Sequence, residues 1–264
     1  MNFDLRQWRS EAEKRRQKCE QAISLNPESV AAYRDLGWAL YNLGKYSQAE
    51  EPLRRAVALK PDDAFALYHL GLVLSQLERL DEASEELLRS IELQPNNADA
   101  HRSLGVLRHD QHQFEAAVLA YQEAIRLKPD FADAYFCLGA TYWELSEQAK
   151  AIAAYNETLR LNPRHVPAAA NLAWLYFDRR EFARSAELLT QAIRNAPEWE
   201  DNTPGQKTDF PRLYIKLGEA LARSGNLSSA LKQYRILRRI DRAAAAKLLT
   251  AIRGPQHKVW PPGS

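Results

Sequence analysis

Residues 132–165 read ADAYFCLGATYWELSEQAKAIAAYNETLRLNPRH: two amphipathic stretches around a short polar break, closed by Pro163. The prolines carry this unit outward along the chain. Pro27, Pro61, Pro95, Pro129, Pro163 and Pro197 stand 34 residues apart each time, which puts six of the 13 prolines in one phase. A fixed period of this length marks a repeat array, in which each unit buries its apolar face only by stacking on the next. Leu36-Gly37, Leu70-Gly71, Leu104-Gly105 and Leu138-Gly139 keep the period and Leu172-Ala173 continues it. Leu217-Gly218 resumes it 45 residues later, so an insertion of 11 residues displaces the sixth unit.

Within the first unit, Tyr33, Leu36, Gly37 and Leu40 fall at i, i+3, i+4 and i+7, the stripe of a helix running from Ala31 to Leu43. Gly44-Lys45 breaks it. A second helix then places Ala49, Leu53, Ala56 and Val57 on one face and stops at Pro61, which has no N–H to continue the ladder. Gly37, Gly71, Gly105 and Gly139 recur inside the first helix of their units, and Ala49, Ala83, Ala117 and Ala151 inside the second. Glycine inside a helix costs about 1 kcal/mol against alanine, so its periodic return requires a close helix–helix approach.

With Tyr33, Leu36, Gly37, Leu40, Ala49, Leu53, Ala56 and Pro61 in the first unit and Tyr135, Leu138, Gly139, Tyr142, Ala151, Tyr155 and Pro163 in the fourth, the chain resembles the tetratricopeptide repeat family. The resemblance implies an all-α, right-handed superhelical solenoid of antiparallel helix pairs. It divides the chain into an N-terminal capping helix or half repeat (1–29), five tandem repeats (30–197), an inserted loop (198–210), a sixth repeat (211–244), a C-terminal capping helix (243–253) and an extended tail (254–264), all one continuous repeat domain. Pro52 lies inside the second helix of the first repeat and is expected to kink it.

Composition fits a soluble protein, with 27% charged and 45% hydrophobic residues. No apolar run approaches the roughly 18 residues of a spanning helix, and MNFDLRQWRSEAEKRR lacks the apolar stretch of a signal peptide, so a cytoplasmic protein is expected. Cys19 and Cys137 lie too far apart in sequence to supply a disulfide framework or a cysteine zinc site. The net charge of +2 is unevenly spread: residues 27–202 carry −9 and residues 203–264 carry +9.

In this family the first helices of the repeats line a concave groove that commonly holds an extended peptide. The resemblance puts Arg34, Asp35, Trp38, Tyr41, Asn42, Phe65, Tyr68, His69, Leu72, Arg102, Ser103 and His109 on that wall. Phe136, Cys137, Trp143, Glu144, Asn171, Trp174, Phe177, Asp178, Arg212, Lys216, Glu219 and Arg223 follow. Aromatic rings give flat contact area at low entropy cost, the material of binding hot spots. That some of these rings pack between neighbouring helices instead stays open on sequence alone.

Relatives that grip acidic chaperone tails use a Lys and an Asn, then an Asn, then two basic residues. Asn171, Arg212 and Lys216 match the later elements, but Phe136 and Ala140 occupy the first. Enzyme signatures are missing: no phosphate-cradling glycine loop, no G-x-S-x-G, no H-E-x-x-H. His109 and His112 with Asp110 lack a third ligand, so neither a metal nor a cofactor is expected. Cys137 is open to reading as a reactive thiol or as a small buried hydrophobe. Asn156-Glu-Thr158 and Asn226-Leu-Ser228 fit the glycosylation pattern by chance in a cytoplasmic chain.

Arg235, Arg238, Arg239, Arg242, Lys247 and Arg253 cluster near the C-terminal end. The expectation is a non-enzymatic scaffold or adaptor, monomeric, holding a partner peptide or helix in its groove. The alternative is a structural assembly component that docks through this basic patch onto an acidic protein, a membrane or a nucleic-acid surface, with nucleic acid the least favoured because no recognised binding module is present.

Overall fold

A computed structural model describes residues 5–196 and 210–253. Fourteen α-helices and no strand occur among them, and the chain divides into two compact units, Met1–Leu145 and Ser146–Ser264. The first unit opens with α1 (Leu5–Leu25). Three helix pairs follow: α2 (Val30–Asn42) with α3 (Tyr46–Leu59), α4 (Ala64–Gln76) with α5 (Leu80–Leu93), and α6 (Ala98–Asp110) with α7 (Phe114–Leu127). The unit closes on α8 (Ala132–Glu144). Each pair packs tightly and each second helix packs on the next pair, while α2, α4, α6 and α8 also touch in series. The second unit holds α9 (Gln148–Leu161), α10 (Val166–Asp178), α11 (Phe182–Asn195), α12 (Phe210–Arg223), α13 (Leu227–Ile240) and α14 (Arg242–Arg253).

Recurring local chemistry sets the pairs. Residues at one repeat position precede the first helix of each pair and cap it: Ser29 Oγ accepts from the Ala32 N–H, Asp63 Oδ1 from Phe65 and Ala66, Asn97 Oδ1 from Asp99 and Ala100, and His165 Nδ1 from Ala168. Such caps satisfy N–H groups that the helix itself leaves without partners. Phe131 stands at the same position before α8 and provides no side-chain cap. Shortly after each first helix of the repeat the backbone turns through a left-handed residue, Gly44, Glu78, His112, Ser146, Arg180 or Gly225, with φ between 59° and 86°. At the first of these turns the Lys45 N–H donates to the Leu40 carbonyl, closing the end of α2.

The helical glycines mark the close approaches. A Cβ at Gly37 would lie 2.3 Å from Leu53 Cγ, one at Gly71 2.8 Å from Leu87 Cγ, and one at Gly105 2.6 Å from the Tyr121 ring. Leu53, Leu87 and Tyr121, buried to 2% exposure or less, fill the space that the missing side chains leave. Gly218 differs: its neighbour is Leu248 of α14, 2.5 Å from the same construction, so the terminal helix fills the place that a second helix fills in unit 1. Asp241 ends α13 and begins α14, its Oδ1 accepting from the Ala243 and Ala244 N–H groups. Helix α3 carries the buried Pro52 within its span. Asn226 Oδ1 is committed to capping α13. Residues 197–209 and 254–264, most of the inserted loop and the whole tail, lie outside the described residues.

Candidate functional site

Helices α2, α4, α6 and α8 carry the candidate residues from Arg34 to Glu144, all in unit 1. Trp38 on α2 and His69 on α4 lie face to face, their centroids 4.5 Å apart and their planes 11° from parallel. Trp38 stacks equally flat on Tyr41 one turn further along α2, at 5.2 Å, and Tyr41 meets Tyr46 at 5.3 Å. Tyr68 tilts against His69 at 5.3 Å. The result is a continuous run of rings, Tyr46, Tyr41, Trp38, His69 and Tyr68. All five are half-buried, and Tyr41 and Tyr68 rest on the core formed by Leu36, Leu40, Leu70 and Leu74. Phe65 and Trp143 stand out from the wall at 48% and 38% exposure.

Burial, and secondarily the charge of Arg34, lowers the His69 pKa to about 4, and its Nδ1 is enclosed without a hydrogen-bond partner. This imidazole is therefore neutral at physiological pH and behaves as one more flat ring. Arg34 is engaged by Asp35 at 3.2 Å and Asp63 at 3.5 Å and leans over Phe65 at 6.0 Å. Further along, Arg102 lies over the Phe131 ring at 5.6 Å, with its Nε enclosed and unpartnered. Burial raises the Cys137 thiol pKa, against the opposing pull of Arg102 and a hydrogen bond with Tyr121. A thiol held in its neutral form is a poor nucleophile, which favours the packing role. His109 contacts Asp110 at 3.7 Å and the edge of Phe114, and Phe136 is half-buried. His112 sits in the left-handed turn, and no cluster of three metal-binding side chains occurs among the described residues.

Unit 2 carries the remaining candidates, from Asn171 to Arg223. Asn171 Nδ2 donates to Tyr155 Oη at 3.2 Å. Arg212 lies over Trp174 at 4.1 Å and Lys216 over Phe177 at 4.0 Å, while Lys216 also pairs with Glu219 at 3.3 Å. Arg223 covers Phe177 at 5.0 Å and Phe182 at 5.6 Å. Here the cations of α12 lie on the rings of α10 and α11, and Phe177 belongs to the core at 8% exposure. The Trp174 indole N–H is enclosed without a partner. On α13 and α14, Arg235, Arg238, Arg239, Arg242, Lys247 and Arg253 are all exposed and none forms an ion pair among the described residues. Ile236 and Ile240 are exposed between them at 39% and 41%.

Sequence reasoning passed over Tyr46 and Phe131. Both bear on the wall although neither occupies a first-helix position of the repeat. Aligning the residues that precede each first helix, Ser29, Asp63, Asn97, Phe131 and His165, exposes Phe131 as the odd member.

Helix pairs repeated in register, with rings displayed on the first helices, define a helical-repeat interaction protein. Models of the tetratricopeptide repeat match residues 17–64 and 170–245, 74–112 and 107–146, and 132–165. The chain belongs to the tetratricopeptide repeat family, whose members serve as protein-interaction scaffolds. Among solved structures, PilF of Pseudomonas aeruginosa is 22% identical with a TM-score of 0.70, the match covering 84% of this chain and 97% of that one. MamA is 25% identical with a TM-score of 0.56, covering 61% of this chain and 94% of its own. YrrB, described as a TPR protein with an unusual peptide-binding site, is 22% identical with a TM-score of 0.55, covering 69% and 93%. No curated protein matches the chain significantly. No helix among the described residues is long and apolar enough to cross a membrane.

Proposed function

We propose that the protein is a non-enzymatic adaptor and that the first-helix wall of unit 1 holds an extended or helical segment of a protein partner. The observation that carries this reading is the run of half-buried rings from Tyr46 to Tyr68, with Phe65 on α4 and Trp143 on α8 exposed on first helices of the same unit. Rings already stacked on one another lose little entropy when a partner covers them, so the wall is preorganised for apolar and planar side chains. A cytoplasmic location accords with two unpaired cysteines, Cys19 and the half-buried Cys137.

A second reading rests on the six unpaired cations with Ile236 and Ile240 among them, a surface suited to an acidic partner. One experiment separates the two. A photocrosslinkable residue at Phe65 or Trp143 identifies the partner, whose affinity is then measured against two sets of variants. Trp38→Ala and Tyr68→Ala are expected to weaken binding by about 2 kcal/mol or more, the hot-spot scale, with less loss of stability than Leu70→Ala in the core. Arg238→Glu with Arg239→Glu is expected to leave it unchanged. The opposite pattern, with a steep fall of affinity in salt, assigns binding to the basic end.

A further inference from the structure

The second helices of the repeat, α3, α5, α7, α9, α11 and α13, all expose the residues at their second, sixth, ninth and thirteenth positions. Spaced three or four residues apart, these positions form one stripe along each helix. On α3, α7, α9 and α11 the stripe holds at most one charge of each sign. On α5 it reads Asp81, Glu85, Leu88 and Glu92, three carboxylates without a cation. On α13 it reads Ser228, Lys232, Arg235 and Arg239, three cations without a carboxylate. The two helices carry opposite charge at the same repeat positions.

Neither stripe is neutralised among the described residues. Glu82 and Glu86 of α5 pair with Arg79 and Arg89, but Glu85 and Glu92 form no ion pair there, and Asp81 meets Gln111 Nε2 at 3.5 Å. On α7 and α9 the thirteenth-position arginines, Arg126 and Arg160, are held by Glu123 and Glu157 at 2.7 and 2.6 Å. Helix α13 keeps that arginine as Arg239 but has Ile236 where the glutamate stands. The cation is left to solvent, and Ile236 is exposed beside it at 39%. Leu88 is exposed to almost the same degree, 40%, among the carboxylates of α5.

We infer that α13 of one copy of the chain docks along α5 of a second copy. The inference rests on the second reading above, in which the basic end meets an acidic partner, and it names that partner; it is independent of the unit 1 wall. Glu85 and Glu92 stand seven residues apart and so do Lys232 and Arg239, a rise of about 10.5 Å along either helix. Set antiparallel, the helices bring Ile236 onto Leu88, with Lys232 opposite Glu92 and Arg239 opposite Glu85. Exposed ion pairs each contribute little, so the joint is weak and salt-sensitive. It is also heterologous: a copy that offers α13 keeps its own α5 for a further copy, or for a reciprocal joint that closes a dimer.

Sedimentation of the full chain over a rising concentration series at low salt is expected to show mass above the monomer, with association weakening tenfold or more as salt is added. Lys232→Glu with Arg239→Glu is expected to abolish association, and so is Glu85→Lys with Glu92→Lys. All four positions are exposed, so both variants are expected to melt close to the parent. Leu88→Gln with Ile236→Gln changes no charge and is expected to weaken association too, which keeps the test open should a reversal unfold the chain. All four reversals in one chain are expected to restore association. Single reversals read the register: Arg239→Glu is expected to be rescued by Glu85→Lys and not by Glu92→Lys, although the two combinations have the same net charge. Rescue by Glu92→Lys instead overturns the antiparallel joint. A chain that stays monomeric at low salt, or that associates regardless of the reversals, overturns the docking of two copies. If that chain binds poly-glutamate or vesicles of anionic phospholipid through Lys232 and Arg239, the basic end still meets an acidic partner. If it binds neither, the reading of the basic end fails as well.

Discussion

The two units solve the same problem at the same repeat positions by different chemistry. In unit 1 the rings lie on one another, with Trp38 flat between Tyr41 and His69, and the imidazole is kept neutral to join them. In unit 2 the rings of Trp174 and Phe177 lie beneath Arg212, Lys216 and Arg223. An aromatic face covered by cations is already occupied, and it presents positive charge where unit 1 presents apolar surface. Family membership sets the repeat positions of these side chains, and the individual residues set the chemistry each unit presents. Most of the binding reading therefore rests on unit 1.

The largest test of that difference is acid. The folded state holds His69 with a pKa of about 4, below the ordinary value of 6.5, so it binds fewer protons than the unfolded chain between those two values. The stability that neutral His69 contributes is complete above about pH 6.5, is lost progressively as pH falls toward 4, and changes no further below that. The full span corresponds to about 3 kcal/mol. Amide exchange measured at pH 7 and pH 4.5 is expected to show unit 1 loosening around α2 and α4, and His69→Phe is expected to remove this component of its acid sensitivity. Equal acid sensitivity in that variant would mean the stack does not depend on a neutral ring.

Next in size is a steric comparison. Adding a methyl group at Gly37 meets fully buried Leu53 at 2.3 Å, and adding one at Gly218 meets fully buried Leu248 at 2.5 Å. Overpacking of this kind costs about 1–3 kcal/mol, offset in part by the better helix propensity of alanine. The outcomes should differ in kind. Gly37→Ala strains an interior pair flanked on both sides, whereas Gly218→Ala pushes on a terminal helix and is expected to release α14, seen as faster proteolysis near Leu248. A protected α14 in that variant would show that it is held chiefly through α13.

These cases also show what could be read from the chain alone. The period, the glycine approaches and the all-α class were legible because a helix-pair repeat writes its core at fixed intervals, and each interval is checked by the others. The covering of Trp174 by Arg212 was not legible, because both were placed on one wall without knowledge of which would lie on the other. His69 was seen as a wall residue, but its neutrality depends on burial to which Trp38 contributes from another helix. Phe177 was expected to face a ligand and is core, since Leu213 and Leu217 pack around it from α12, beyond the insertion. Pattern predicts which residues share a face; how deeply each is buried depends on the size of the neighbours.

The cation cover gives a smaller effect. Arg212→Gln removes the guanidinium 4.1 Å above Trp174. A partly exposed cation–π contact contributes about 0.5–1 kcal/mol, so unit 2 should lose that much while its Trp174 fluorescence shifts and the unit 1 wall keeps its affinity. An unchanged Trp174 signal would show that the stacked pose is not maintained in solution.

The smallest effect lies in the turns, where the two units should behave alike. Gly44 and Gly225 occupy the left-handed position at φ of 73° and 86°, and a Cβ at either meets nothing within 4 Å. Glu78 and Arg180 hold the same position at 61° and 62° with side chains attached, one in each unit. A non-glycine residue there pays about 1–2 kcal/mol for Cβ against the backbone, and glycine returns part of that as extra freedom in the unfolded chain. Glu78→Gly and Arg180→Gly are each expected to stabilise by about 0.5 kcal/mol, and Gly44→Ala to destabilise by about 1 kcal/mol. Both units should respond equally, because the strain is local to the turn backbone. A gain in one unit and a loss in the other would mean that the turn side chains take part in the difference between the walls, with Arg180 the first to suspect in a unit whose other cations lie on rings.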